Sequence, residues 1–415
     1  MTSRDRVMES LRFRTPDRVP LDLGGMRSTG ISAFAYPGLR AVLGLPRRRP
    51  RIHDAKQMLA LPERDVLDAL GCDVVHVTLD ECTNAFDEPR RWKPFGFDGR
   101  LDALVPCPGA FAVRPDGTVE QRGADGGVSR MVPGSYVFDA EHAGEPLDLE
   151  AEITEPDWDA KRRELDRRSF SAERLASIAA YCRRVRDSTD RAVFLNGWQS
   201  AIGFPGGMAA FSLRCLLHPA WVRELHRMEA DHMARQAELL LPAVADSVDV
   251  VMLAADDQGT QNGPILPPAV YRDLYVPAYR RITDACHRAA PGVKLFLHSC
   301  GAIFELLPHV VDAGFDVLNP VQWSAGGRSW AEWKAACRGR IALWGGGVNT
   351  QRTLPFGTVA EVVRETQEAV SCLSAGGGYV FAAIHNILAE IDPRSVAAMY
   401  RTAAGIVTRQ ADAAG

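Results

Sequence analysis

The sequence predicts a (β/α)8 barrel of the TIM type with a β-rich insertion in its N-terminal third. Two patterns predict it. Eight short apolar runs of strand length recur along the chain: 19–24, 72–78, 192–198, 248–255, 293–298, 315–319, 341–345 and 378–383. From the third run onward, a segment of helical pattern follows each one, as a parallel sheet covered by helices requires. No G-x-G-x-x-G turn follows an early run, so an open dinucleotide-binding sheet is the weaker alternative.

After the fifth run, Ile303, Leu306, Leu307, Val310 and Val311 fall at helical spacing, giving one apolar face to lie on a sheet. Residues 157–190 read as helix leading back to the barrel. The segment 81–155 breaks the rhythm with Gly, Pro, Asp and β-prone pieces such as Phe111-Ala112-Val113 and 117–120, and it reads as an inserted β-rich flap. The organisation expected is therefore one barrel over residues 1–415 carrying a flap over 81–155.

At 415 residues, 46% hydrophobic and 24% charged, the chain has ordinary globular usage. A net charge of -4 argues against a surface that tracks nucleic-acid phosphates, although 46–51 (PRRRPR) is a local basic run. No stretch has the roughly 20 consecutive apolar residues of a membrane span. The charged start and nine cysteines without regular spacing fit a cytoplasmic protein with reduced thiols.

Barrel enzymes place their chemistry at the C-terminal ends of the strands. The polar residues there are Arg27, Asp80, Trp198, Gln199, Asp256, Asp257, His298, Cys300, Asn319, Gln322, Asn349, His385 and Asn386. His298-Ser299-Cys300 puts an imidazole and a thiol two positions apart where a strand opens into a loop, and zinc accepts that pair. His385, at the eighth run, is either a third ligand or, with no metal, a general acid or hydrogen-bond donor. Asp256 and Asp257 are candidates for acid–base work, for orienting a ligand or for capping a helix. Arg27 could clamp an anion, and Trp198, Trp323 and Tyr36 could form an aromatic wall.

Several segments together resemble the uroporphyrinogen decarboxylase superfamily, which includes methylcobalamin:coenzyme M methyltransferases. They are Arg14-Thr15-Pro16-Asp17-Arg18-Val19-Pro20, the stretch 256–264 (DDQGTQNGP), Phe296-Leu297-His298-Ser299-Cys300-Gly301 and Val317-Leu318-Asn319-Pro320-Val321-Gln322. The decarboxylase branch carries an M-R-Q-A-G-R loop with two arginines. Here Met26-Arg27-Ser28-Thr29-Gly30-Ile31 keeps only the first, though Asp80 stands where that branch has its catalytic aspartate.

The methyltransferase branch binds zinc through H-x-C and a later cysteine. His298 and Cys300 match the pair, and aligning Ile391-Asp392-Pro393 with the family turn puts His385 at the cysteine position. The resemblance thus implies a zinc-dependent methyltransferase with His298, Cys300 and His385 as ligands. Asp80, Asp256 and Asp257 would be catalytic, and Arg27, Trp198, Gln199, Asn319 and Gln322 would contact substrate. Two imidazoles and one thiolate carry one unit less negative charge than one imidazole and two thiolates. Such a zinc is the stronger Lewis acid, less suited to a nucleophilic bound thiolate, which points away from a strict coenzyme M enzyme.

The methyl carrier implied is a corrinoid (cobalamin). No D-x-H-x-x-G motif occurs, so it would come on a separate corrinoid protein or as free cofactor. A homodimer is the family expectation. The competing readings are a metal-free decarboxylase or lyase of a carboxylated substrate, and a non-catalytic corrinoid-binding barrel.

Overall fold

The structure is a computed structural model, and it describes residues 1–79, 91–123, 126–140, 157–200, 202–205 and 207–405. Seven of the eight apolar runs become strands: β1 (Val74–Thr78), β2 (Ala192–Asn196), β3 (Val250–Ala255), β4 (Lys294–His298), β5 (Val317–Asn319), β6 (Ala342–Trp344) and β7 (Tyr379–Val380). They form one sheet in the order β7-β6-β5-β4-β3-β2-β1. Neighbours from β2 to β6 pair in parallel. Nearly every residue of these five strands is buried, as expected of strands covered on both faces. Among the described residues, no helix is long and apolar enough to cross a membrane.

Packing divides the chain into two compact units, one of them His76–Asn84 with Ala143–Trp344. In this unit the helix Pro219–Val244 packs on Val276–Ala289, and the helix Ala172–Asp187 starts at Ser171, whose hydroxyl accepts from the Arg174 amide. Side chains of alternate strands meet in its core. The rings of Phe194 (β2), Phe296 (β4) and Trp344 (β6) touch, with centroids 4.8 Å apart for Phe194–Phe296, 5.5 Å for Phe296–Trp344 and 5.6 Å for Phe194–Trp344. In a flat sheet, strands four places apart lie about 19 Å from one another. Ring contact across that interval requires the sheet to curl strongly about this face, with alternate strands filling one layer.

The other unit comprises Met1–Val75, Ala85–His142 and Gly345–Gly415. It corrects the expectation for the first apolar run, which is not a strand. Leu21 alone forms a parallel bridge, to Phe381. Phe381 N donates to Pro20 O (2.8 Å), Asp22 N to Phe381 O (2.9 Å) and Asp73 N to Leu21 O (2.8 Å), so the run lies beside the segments that hold β7 and β1. Its ladder stops there because Pro20 has no amide proton, while Gly24, at φ 78°, turns the chain away.

Buried Asp73 ties this corner together. It accepts from Arg6 (2.6 Å), Arg18 (2.7 Å) and the Leu21 amide (2.9 Å), while Arg6 also pairs with Asp17 (2.7 Å). The Arg-x-Pro-x-Arg-x-Pro motif is therefore a packing device at this corner.

Within 91–140 the described residues hold short antiparallel strands. Lys93–Phe95 pairs with Ala103–Val105, and Phe111–Val113, Val119–Arg122, Val128–Met131 and Asp139–Ala140 form a four-stranded sheet. Phe97 and Phe111 close over its core at 5.5 Å between ring centroids. Helices in this unit include Tyr36–Val42, Val359–Leu373 and Pro393–Ala403.

Candidate metal centre

Phe296 faces the aromatic layer, and side chains on one face of a strand recur every second residue, so His298 takes the same face one step nearer the strand's C-terminal end. Its side chain is 8% exposed. Nδ1 lies 2.6 Å from Asn319 Oδ1, and Nε2 lies 3.3 Å from Cys300 Sγ and 3.6 Å from Asp257 Oδ1.

The loop after His298 is pressed against the 256–260 loop by two glycines. Gly301 has φ 90°, and a Cβ there would sit 2.2 Å from Gly259 O; a Cβ on Gly259 would sit 2.6 Å from Ala302 N. Only glycine at both positions permits this approach. The loop's polar groups are held from both sides. Cys300 N donates to Asp257 Oδ1 (2.8 Å), Gly301 N to Gln322 Oε1 (2.7 Å), Ser299 N to Asn319 O (2.7 Å) and Gln258 N to Ser299 Oγ (3.1 Å). Sequence reasoning missed Ser299, Gly259 and Gly301, although a glycine in each of the two motifs was a usable signal.

The two adjacent aspartates part company here. Asp257 is half exposed and turns to Cys300 and His298. Asp256 is buried against Gly203, where an added Cβ would meet its Oδ1 at 2.3 Å, and its Oδ2 has no hydrogen-bond partner. Burial, and then the Asp257 charge, push its carboxyl up to about 8, so Asp256 is a neutral acid at pH 7. Burial and the neighbouring Asp257 carboxylate also push the Cys300 thiol well up.

His385 follows β7 on a loop pinned to residues 30–32. Gly30 N donates to Asn386 Oδ1 (3.0 Å), Ile387 N to Gly30 O (2.9 Å) and Ser32 N to Ile387 O (2.8 Å), while Asn386 Nδ2 donates to Gln57 (2.6 Å). His298 and Cys300 offer a nitrogen and a sulfur 3.3 Å apart as ligand atoms for a metal. The donor set suits zinc. In a tetrahedral site with Zn–N of about 2.0 Å and Zn–S of about 2.3 Å, N and S ligands lie about 3.5 Å apart, close to the His298–Cys300 separation.

The other residues singled out in the sequence are distributed as follows. Arg27 is half exposed with Nε 3.4 Å from Asp54. Trp198 is buried, and Gln199 donates to Met252 Sδ at 3.4 Å. Asn319 and Gln322, expected at the substrate, are buried with their side-chain oxygens bonded to the His298–Gly301 loop. Trp323 packs on Trp330, and Tyr36 is buried with its hydroxyl on Glu63, so it belongs to the core rather than to an aromatic wall. Asp80 lies outside the described residues.

A methyltransferase from Methanosarcina mazei has a similar solved structure, with a TM-score of 0.51 at 16% identity over 98% of this chain and 99% of that one. A family 5 glycoside hydrolase from Streptomyces cattleya overlaps 59% of this chain and 75% of its own, with a TM-score of 0.34 at 17% identity. No curated protein matches the sequence. The family model for uroporphyrinogen decarboxylase (URO-D) matches residues 163–406, more than half of the chain. The chain belongs to the uroporphyrinogen decarboxylase family.

Proposed function

We propose that this chain is a zinc-dependent methyltransferase of the methylcobalamin-using branch, moving a methyl group between a corrinoid, or a methylated small molecule, and an acceptor. The observation that carries the reading is the His298–Cys300 pair, whose Nε2 and Sγ lie 3.3 Å apart, with Asp257 Oδ1 3.6 Å from the same Nε2. Likeness to the Methanosarcina mazei methyltransferase along nearly the whole chain supports the reaction class. The Leu21 bridge to Phe381 and the Asp73–Leu21 bond support closure of the eight apolar runs into a (β/α)8 barrel.

Zinc held by His298, Cys300 and His385 would supply Lewis acidity, with a fourth position open to an oxygen, nitrogen or sulfur of the substrate. Asp257 is the carboxylate on that side of the loop, placed to take a proton from an acceptor O–H, N–H or S–H. Its hydrogen bond from the Cys300 amide fixes it there. Arg27, which keeps about half of its side chain exposed, is a contact for an anionic substrate group. The corrinoid arrives free or on a separate protein, and the enzyme works as a cytoplasmic homodimer.

The test is transfer of methyl from methylcobalamin to phenol, amine and thiol acceptors, followed by the visible spectrum of the corrinoid. Turnover that is lost on chelation and restored by zinc is expected. Cobalamin binding without turnover on any acceptor would instead mark a non-catalytic corrinoid-binding barrel. The family match favours one second reading, a metal-free decarboxylase of a carboxylated substrate, in which chelation leaves turnover intact.

A further inference from the structure

We propose that Asn319 is a positioning residue that fixes the tautomer of His298, holding the proton on Nδ1 so that the Nε2 lone pair faces Cys300. The inference rests on the metal-centre reading only for its consequence, since the tautomer is a property of the protein without metal.

The direction of each hydrogen bond follows from what its atoms can do. The Trp344 carbonyl can only accept, and Asn319 Nδ2 lies 2.9 Å from it, so the amide nitrogen points to Trp344. The amide oxygen must then point the other way, where it lies 2.6 Å from His298 Nδ1. An amide oxygen also only accepts, so His298 Nδ1 carries a proton. A neutral imidazole with hydrogen on Nδ1 has its lone pair on Nε2, and Nε2 is the atom 3.3 Å from Cys300 Sγ.

The relay is written into strand register. His298 pairs with Asn319 across β4 and β5, and β5 pairs with β6, whose last residue is Trp344. Asn319 and Trp344 are fully buried, so water does not compete for these bonds. The same segment steadies the backbone on either side of the thiol, through Asn319 O to Ser299 N and Gln322 Oε1 to Gly301 N. Asn319 and Gln322 thus shape the centre, a role their position at a strand end does not disclose.

A free neutral imidazole in water favours the opposite tautomer, with hydrogen on Nε2, which has no lone pair for a metal at that atom. Without Asn319 the ligand must change tautomer to bind, and loss of such an orienting partner typically weakens metal affinity about 10- to 100-fold.

The first experiment reads the His298 ring nitrogens of the full-length metal-free protein by 15N NMR at pH 8, with His298→Gln used only to assign the signals. A protonated, pyrrole-type Nδ1 and a pyridine-type Nε2 are expected. The reverse pattern would overturn the proposal without any variant at Asn319. The second measures zinc affinity by competition with a chromophoric chelator. Asn319→Leu should bind zinc about 10- to 100-fold more weakly, whereas Asn319→Asp, which keeps an acceptor for the Nδ1 proton, should stay within a few-fold of the parent.

Equal affinities for the parent and a folded Leu variant would contradict the proposal. If the parent shows the expected tautomer yet binds no zinc, the metal reading fails while the Asn319 assignment stands.

Discussion

Asp73 and Asp256 are both carboxylates buried beside parallel strands, and their surroundings are opposite. Asp73 accepts from two arginines and a backbone amide, so its charge is fully compensated. Asp256 has Asp257 next to it, no cation on its oxygens and one oxygen without a partner. A protein stabilises a buried charge by pairing it, and an unpaired buried carboxyl stays protonated instead. The first site is therefore architecture. The second is a neutral acid packed against Gly203, while its neighbour Asp257 turns to Cys300 and His298.

The largest effect that sharpens this contrast is expected at Asp73. Asp73→Ala leaves Arg6 and Arg18 without their buried partner and should cost about 3–5 kcal/mol in urea unfolding. A loss below about 1 kcal/mol would show that the corner is not held by its ion pairs. Gly301→Ala comes next, because its Cβ would overlap Gly259 O and its φ is positive. A loss on the order of 3 kcal/mol is expected, together with weakened zinc binding, since the Cys300 loop must move. Gly203→Ala pushes on the Asp256 carboxyl and should cost about 1–3 kcal/mol.

The pH dependence separates the two carboxylates more finely. Asp256 has a folded pKa of about 8 against an ordinary value of 3.8, so the folded state binds the extra proton between those limits. The stabilisation is complete below about pH 4 and is lost as pH rises toward 8, with a slope of at most roughly 1.4 kcal/mol per pH unit from this group. Asp256→Asn should flatten that slope, measured as urea midpoints from pH 5 to 8, so that the variant gains on the parent as pH rises and exceeds it by roughly 3 kcal/mol at pH 6. An unchanged slope would mean that Asp256 is charged in the folded state.

Much of this was legible in the sequence. Continuous apolar runs marked the seven strands because strands buried on both faces leave no polar alternation to confuse with a loop. The run 19–24 misled because Pro20 and Gly24 end its ladder while its composition still reads as strand. The pieces 111–113 and 117–120 fall on or beside the observed strands Phe111–Val113 and Val119–Arg122. His298 and Cys300 were visible as a candidate ligand pair because their spacing is local.

The division of labour between Asp256 and Asp257 was not visible. β3 slips register between Met252 and Ala254, and one bulged residue reverses which side chains face the interior beyond it. Asn319 and Gln322 were found as polar strand-end residues, but the direction of an amide depends on the carbonyl it meets, here that of Trp344, 25 residues away in sequence.

The most direct test of the metal centre is the zinc content of purified protein, measured by elemental analysis for the parent and for His298→Ala, Cys300→Ala and His385→Ala, with circular dichroism to confirm folding. One zinc per parent chain, lost or sharply reduced in all three variants, is the expected result. Zinc content that is unchanged in the folded variants, or absent from the parent even after incubation with the metal, would contradict the account.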